Sequence, residues 1–149
     1  MNKNNCDKNL FRYTEKCLHE YVQNCAKLER LKGDLVLLRS ATDVKAQSYD
    51  IAPTSSSASD PVFAFFISVE NLEWKIKMLE RITEPVKKFM ADLAQNRDRK
   101  NSMFMTILKL YYFDNYSVEA VMQELHICRA AFFNQKKSFV RQAMSYFGF

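Results

Sequence analysis

The sequence contains few of the residues that make tight turns: two glycines and three prolines among 149 residues. Average usage is roughly 7% for glycine and roughly 5% for proline. Sandwiches and barrels need many tight turns, which depend on Gly, Pro and Asn-Gly pairs. This scarcity argues against all-β folds. It also excludes a glycine-rich phosphate-binding loop, because the two glycines lie far apart. We therefore predict an all-α fold.

Long hydrophobic runs are also missing. No apolar stretch approaches the ~20 residues that a membrane-spanning helix needs. The first ten residues, MNKNNCDKNL, lack the apolar core of a signal peptide. We therefore expect a cytoplasmic protein with no membrane association.

Residues spaced for metal binding or catalysis are scarce as well. The four cysteines include no C-x-x-C pair, and the two histidines, His19 and His126, lie in different segments. Zinc sites and redox sites usually show closer local spacing. We predict no metal, no cofactor and no catalytic residue, and hence a protein that is not an enzyme.

The positive charge is unevenly distributed along the chain. There are 22 basic and 17 acidic side chains, which give a net charge of +5. Residues 97–149 alone contain 8 basic and 4 acidic side chains, so +4 of the +5 lies in the last third. A localised basic surface indicates an anionic partner, most often a nucleic acid.

Two segments each carry a heptad pattern of mostly apolar side chains, with spacings that alternate between three and four residues. The first pattern comprises Cys17, Tyr21, Asn24, Leu28, Leu31, Leu35 and Leu38. The second comprises Val62, Phe65, Val69, Leu72, Ile76, Leu79, Thr83, Val86, Met90 and Leu93. We predict a long helix over residues 1–41 and a second over residues 61–96, paired as an antiparallel, coiled-coil-like hairpin.

The segment between the two patterns, residues 42–60, has no helical periodicity and is rich in serine. We predict a flexible loop there. Asp60 and Pro61 have the residue types of an N-cap and a first helical position, so the second helix should begin at this point. Pro85 lies within the second pattern and removes a backbone donor. Either the helix kinks near Thr83, or a new helix begins there.

Residues 97–149 predict a separate domain of three shorter helices. A polar stretch at 96–101 forms the boundary, and helices are expected over 102–113, 117–125 and 129–147, the second with Ser117 as its N-cap. The residues at core spacing in the first of these helices are Phe104, Ile107, Leu108 and Tyr111. The last two are joined by His126, Ile127 and Cys128. A short helix, a three-residue turn and a longer helix have the spacing of a helix-turn-helix.

The last helix carries the candidate recognition residues. An Arg at its start can read guanine with two hydrogen bonds, and an Asn on its outer face can read adenine. Ala and Phe side chains there can contact a thymine methyl group, and the remaining cations are placed for phosphates. The predicted DNA-binding residues are Arg129, Ala130, Phe133, Asn134, Lys136, Lys137 and Arg141.

The segment YYFDNYSVEAVMQELHICR, residues 111–129, resembles region 4 of sigma factors. The matching residues are Ser117, Glu119, Val121, Leu125, Ile127 and Arg129, whereas Met122, His126 and Cys128 depart from the pattern. From about Leu28 onward, the order of elements resembles the sigma-like late-gene activators of Gram-positive prophages, the ArpU and RinA types. The resemblance implies binding of double-stranded DNA in a phage or prophage transcription programme. It also makes host RNA polymerase an expected partner.

We therefore predict a sequence-specific DNA-binding transcription regulator of phage or prophage type. Two alternatives stay open: a DNA-packaging protein of the small-terminase type, and a helical adaptor that binds only protein. Oligomeric state separates the first alternative from a regulator, and salt-sensitive DNA binding separates the second. Phe63, Phe66 and Trp74 lie off the heptad pattern, so we expect them to pack on a third element or to form a homodimer interface of the hairpin.

Overall fold

The computed structural model describes the backbone of residues 3–46 and 61–149, and the side chains of residues 6–41 and 61–149. This part of the chain is helical and contains no β-strand, which confirms the all-α prediction. None of its helices is both long enough and apolar enough to cross a membrane. The elements are α1 (Lys3–Ala46), α2 (Pro61–Gln95), α3 (Arg99–Thr106), a π-helical segment (Ile107–Phe113), α4 (Val118–Leu125) and α5 (Arg129–Tyr146).

The two long helices form where the heptad patterns predict them, although their bounds differ in detail. The first helix continues to Ala46, so residues 42–46 of the predicted loop are helical, and residues 47–60 lie outside the described part. The second helix begins at Pro61, as predicted. It continues through Pro85 to Gln95 as one element, so the alternative of a new helix at Thr83 is wrong.

The third helix begins earlier than the polar stretch at 96–101 indicated. Its first residue is Arg99, and Asp98 is the N-cap. The Asp98 carboxylate accepts a hydrogen bond from the backbone N–H of Asn101 at 2.7 Å. Such a cap satisfies one of the unpaired donors in the first turn of a helix. The prediction that residues 96–101 form only a boundary is therefore wrong for their second half.

The chain divides into two compact units. The first, here called the core unit, contains the described residues up to Asn24 together with Arg81–Phe149. The second, here called the two-helix unit, contains the described residues between Cys25 and Glu80. The predicted domain 97–149 is thus joined in its unit by the first part of α1 and the last part of α2.

One hydrophobic core holds the core unit together. Every element of the unit contributes to it, including α1 and α2, and this explains why these segments belong to the unit. Burying each large apolar side chain contributes about 1.5–3 kcal/mol. The residues buried in this core are Leu18, Val86, Phe89, Leu93, Phe104, Ile107, Leu108, Tyr112, Val121, Phe132, Phe139, Val140 and Ala143.

A π-helical segment places two consecutive tyrosines against this core. The α-helical period predicts Tyr111 as a core residue, whereas the structure buries Tyr112 completely and Tyr111 only partly. The wider i→i+5 turn of a π-helix changes which side chains share a face. The Tyr112 ring stacks on Phe139, with ring centroids 5.6 Å apart. The Tyr111 ring meets Phe132 edge-on at 5.6 Å.

In the two-helix unit, the heptad positions form the less exposed side of each helix. The leucines of the α1 pattern are half-buried, and Ile76 of α2 is buried, whereas Val62 is exposed despite its place in the pattern. Two ion pairs join the helices: Lys32 with Glu80, at 2.7 Å, and Arg39 with Glu73. The later residue on α1 thus pairs with the earlier residue on α2.

The opposite side of α2 exposes a stripe of large apolar side chains. It includes Phe63, Phe66 and Trp74, each about 60% exposed. Ile67 and Met78 extend the stripe. These positions lie within about 120° of one another on an α-helix, and the heptad positions lie on the other side. Among the described residues, no third element covers Phe63, Phe66 and Trp74, and the alternative of a homodimer interface stays a prediction.

Candidate nucleic-acid interface

Helix α4 begins with a side-chain cap. Ser117 is its N-cap, and the Ser117 hydroxyl oxygen accepts a hydrogen bond from the backbone N–H of Ala120 at 3.2 Å. This confirms the N-cap expected from the sequence. The cap fixes where α4 begins, and α4 contributes Val121 to the core.

The connection between α4 and α5 consists of three residues, as predicted. Its first residue has a left-handed backbone conformation. His126 has φ 52° and ψ 44°. The N–H of Ile127 donates to the carbonyl of Met122, at 3.1 Å, and the N–H of His126 donates to the carbonyl of Gln123, at 3.2 Å. These two bonds define a Schellman motif, which ends a helix in a fixed direction. Ile127 is half-buried against the core, so the connection is anchored.

Arg129, the first residue of α5, forms an ion pair. Its guanidinium Nη1 lies 3.0 Å from a carboxylate oxygen of Glu119 on α4, and both side chains are about two-thirds exposed. The pKa of Glu119 is lowered, first by a backbone hydrogen bond in the opening turn of α4 and then by Arg129. The Arg129 guanidinium also lies 5.5 Å from the centre of the Phe133 ring.

Most of the predicted recognition residues lie on the exposed surface of α5. The sequence of α5 contains four basic residues and no acidic residue. The exposed members of the predicted set are Arg129, Ala130, Phe133, Asn134, Lys137 and Arg141. The outward face of α5 is therefore basic, with a polar amide and an aromatic ring among the cations.

Lys136 departs from the prediction of a solvent-facing phosphate contact. Its side chain is 17% exposed, and its ammonium lies 2.5 Å from the Glu15 carboxylate on α1. The Tyr111 ring centre lies 5.0 Å from the same ammonium. Burial acts to lower the pKa of Lys136, but the hydrogen bond and charge of Glu15 outweigh it, so the pKa is raised. Lys136 therefore stays charged and joins α5 to α1.

The Glu15 carboxylate is surrounded by aromatic groups as well. It accepts a hydrogen bond from the Tyr112 hydroxyl at 3.3 Å. Burial and the nearby negative charge raise the pKa of Tyr112. The His19 ring lies 4.6 Å from the Tyr112 ring, centre to centre, and burial lowers the pKa of His19. This cluster fixes the beginning of α1 against α5.

A groove with a volume of about 700 Å³ runs between the beginning of α1 and α5. Lys8 and Arg12 of α1 line one side, and Lys137 and Arg141 of α5 line the other. Phe11 and Phe133 supply aromatic surface, and Asp7 is the acidic residue of the lining. The groove therefore contains four cations and one carboxylate. Lys136 also lines it but is not counted, because it is paired with Glu15.

A second basic groove lies between α5 and the beginning of α3. Its volume is about 560 Å³, and it is lined by Asn134, Gln135 and Ser138 of α5 with Arg99 and Lys100 of α3. The Lys100 ammonium lies 5.3 Å from the centre of the Phe104 ring. Phe104 is buried in the core, so the Lys100 side chain lies along the protein surface above this ring.

Sequence reasoning missed the cations of α1 and α3. The segment Arg97-Asp98-Arg99-Lys100 combined basic residues with an N-cap, and it could have identified α3 as a contributor. Lys8 and Arg12 gave no such signal, because only tertiary packing brings the beginning of α1 beside α5. Among the described side chains, no cluster of three or more His, Cys, Asp and Glu residues is placed to hold a metal ion.

Comparisons of the chain with protein-family models, with curated proteins and with solved structures find no match.

Proposed function

We propose that the protein is a sequence-specific regulator of transcription that binds double-stranded DNA, of the phage or prophage type. The observation that carries the proposal is the outward face of α5, which is basic and exposed and follows a capped α4 after three residues. An α-helix of this kind fits the major groove, where Arg and Asn side chains distinguish bases. The proposal places the protein in the cytoplasm, where its DNA is accessible.

The finer fold belongs to the same proposal. In it, α4 and α5 form a helix-turn-helix, with α5 as the recognition helix. The long helices form an antiparallel hairpin, because Lys32 pairs with Glu80 and Arg39 pairs with Glu73. The similarity of residues 111–129 to sigma-factor region 4 supports host RNA polymerase as a partner of the DNA-bound protein.

A second copy of the chain is the proposed occupant of the exposed stripe on α2. Glu70 and Lys77 are exposed on this side of the helix, at nearly equal distances on either side of Trp74. When two copies of α2 pack antiparallel about Trp74, Glu70 of each copy meets Lys77 of the other. The stripe is therefore self-complementary in charge, as a two-fold interface requires. Such a homodimer presents two recognition helices to one operator.

The test of DNA reading compares three variants on a duplex selected from random sequences and on an unselected duplex. Arg129→Ala should cost about 1–3 kcal/mol of binding free energy on the selected duplex and relax one base preference. Lys137→Ala should weaken binding to both duplexes equally and reduce the salt slope by about one. Glu119→Gln should strengthen binding, because Arg129 then contacts the base without first breaking its ion pair with the Glu119 carboxylate.

Two outcomes contradict the proposal. Equal weakening of both duplexes by Arg129→Ala makes Arg129 a phosphate contact. The absence of salt-sensitive binding by the unaltered protein favours a helical adaptor, for which the exposed apolar stripe of α2 is the available surface. A ring of many subunits in solution favours a packaging protein over a regulator, and equilibrium sedimentation measures this directly.

A further inference from the structure

The two basic grooves lie on opposite sides of the exposed face of α5. Successive residues of an α-helix are separated by about 100° around its axis. Phe139 and Ala143 face the core, so Asn134 and Arg141 point in the opposite direction. The groove toward α1 includes Lys137, on one side of this outward direction, and the groove toward α3 includes Ser138, on the other.

Each groove receives two cations from an element other than α5. Lys8 and Arg12 come from α1, and both are exposed. Arg99 and Lys100 come from the first turn of α3, and both are exposed. Among the described residues, none of these four cations forms a salt bridge with a carboxylate. The neighbouring Lys136, in contrast, is paired with Glu15. Two rows of available positive charge therefore flank the recognition surface.

We infer that the two rows bind the two phosphate backbones of one DNA duplex, one strand each, while α5 occupies the major groove between them. The inference rests on the proposed function and adds residues of α1 and α3 to the interface. The rows are named here the α1 row (Lys8 and Arg12) and the α3 row (Arg99 and Lys100). Both rows act without regard to base sequence, because phosphates carry no sequence information.

The dimensions favour a duplex over a single strand. An α-helix with its side chains is about 10–12 Å across, and the major groove is about 12 Å wide. A helix that fills the groove therefore has one backbone on each side of it. A single strand offers only one backbone and uses one row. The aromatic residues Phe11 and Phe133 lie in the α1 groove alone, so stacking surface is absent from the lining of the α3 groove.

The experiment uses the full chain and three double variants of equal charge change. Lys8→Gln with Arg12→Gln neutralises the α1 row, and Arg99→Gln with Lys100→Gln neutralises the α3 row. Glutamine keeps much of the side-chain length, and all four residues are exposed, so thermal denaturation should confirm folding. Lys16→Gln with Lys27→Gln is the control, because these exposed α1 lysines line neither groove.

Each row variant should weaken binding about tenfold or more, on selected and random duplexes alike, and reduce the salt slope by about two. The control variant should change neither quantity by a comparable amount. Asp7→Asn removes the carboxylate from the α1 groove and should strengthen binding. Within each half-site, phosphate ethylation interference should then lose its signal on one strand for the α1-row variant and on the other strand for the α3-row variant.

The outcomes separate the inference from the proposed function. If the unaltered protein binds duplexes and α5 variants weaken it, but the row variants match the control, the inference is wrong and the proposed function stands. Loss of interference on the same strand of a half-site for both rows also overturns the inference. If the unaltered protein binds no duplex at any salt concentration, both fail.

Discussion

The Glu15 carboxylate on α1 lies 2.5 Å from the Lys136 ammonium on α5, and both side chains are mostly buried. This ion pair holds the beginning of the first helix beside the last helix of the chain. It removes one lysine from the basic face of α5 and, by fixing α1, brings Lys8 and Arg12 to the edge of that face. The ion pair therefore determines which cations are exposed on and beside the basic face of α5.

Glu15→Gln should destabilise the protein by about 1–3 kcal/mol, because it leaves the Lys136 charge half-buried without its carboxylate. Urea denaturation measures the change. Lys136→Met added to Glu15→Gln should restore part of the loss, since neither charge then remains buried. The exposed pair Lys16 and Glu20 supplies the control, and Lys16→Ala should change stability by less than about 0.5 kcal/mol. Equal effects of the two variants would refute a structural role for the buried pair.

His126→Gly should stabilise the protein by about 0.5–1 kcal/mol. The left-handed conformation at His126 strains a side chain but not a glycine, and the gain exceeds the extra freedom of glycine in the unfolded chain. His126→Ala keeps the strain and should bring no gain. A thermal denaturation series that ranks the alanine variant at or above the glycine variant would contradict this account of the turn.

The sequence predicted the parts of the fold that depend on local periodicity. Phe104, Ile107 and Leu108 were expected in the core, and all three are fully buried. Tyr112 was missed because a π-helical turn breaks the α-helical period at that point. The early start of α3 was missed although Asp98 is an N-cap residue type, because the surrounding polar residues resemble a linker.

The candidate site could be predicted only in part, for a physical reason. The exposure of Arg129 and Asn134 follows from the helical period of α5. The burial of Lys136 and the positions of Lys8 and Arg12 depend on where α1 packs, and contacts over such long sequence separations leave no local pattern.

Acidification should destabilise the core unit through His19. Burial lowers the pKa of His19 below its ordinary value of 6.5, outweighing the opposing effect of Glu15, and Lys136 lowers it further. The folded protein thus binds this proton less tightly than the unfolded chain does. The contribution of His19 to stability is therefore present above pH 6.5 and is lost as the pH falls through the folded-state pKa. His19→Gln should flatten the dependence of the melting temperature on pH in this range, and an unchanged slope would assign the effect to other groups.

Gly33→Ala should raise stability by about 0.5–1 kcal/mol. Gly33 lies in the interior of α1, and apart from its chain neighbours and the adjacent backbone of the helix itself, no atom of the described residues lies within 4 Å of the position that its Cβ would occupy. Alanine therefore gains helix propensity without a clash. Ala26→Gly on the same side of α1 is the matched control and should lower stability by a similar amount. If Gly33→Ala instead destabilises the protein and lowers its mass in solution, the α1 side is where a second copy packs.

The exposed position of Trp74 gives the two compact units separate optical signals. It is the single tryptophan of the chain, and it belongs to the two-helix unit, whereas the core unit contains tyrosines but no tryptophan among its residues. Indole emission therefore follows the two-helix unit alone, and its quenching by iodide reports whether the α2 stripe is covered. Denaturation followed by this emission and by far-ultraviolet circular dichroism separates the melting of the two units without any label.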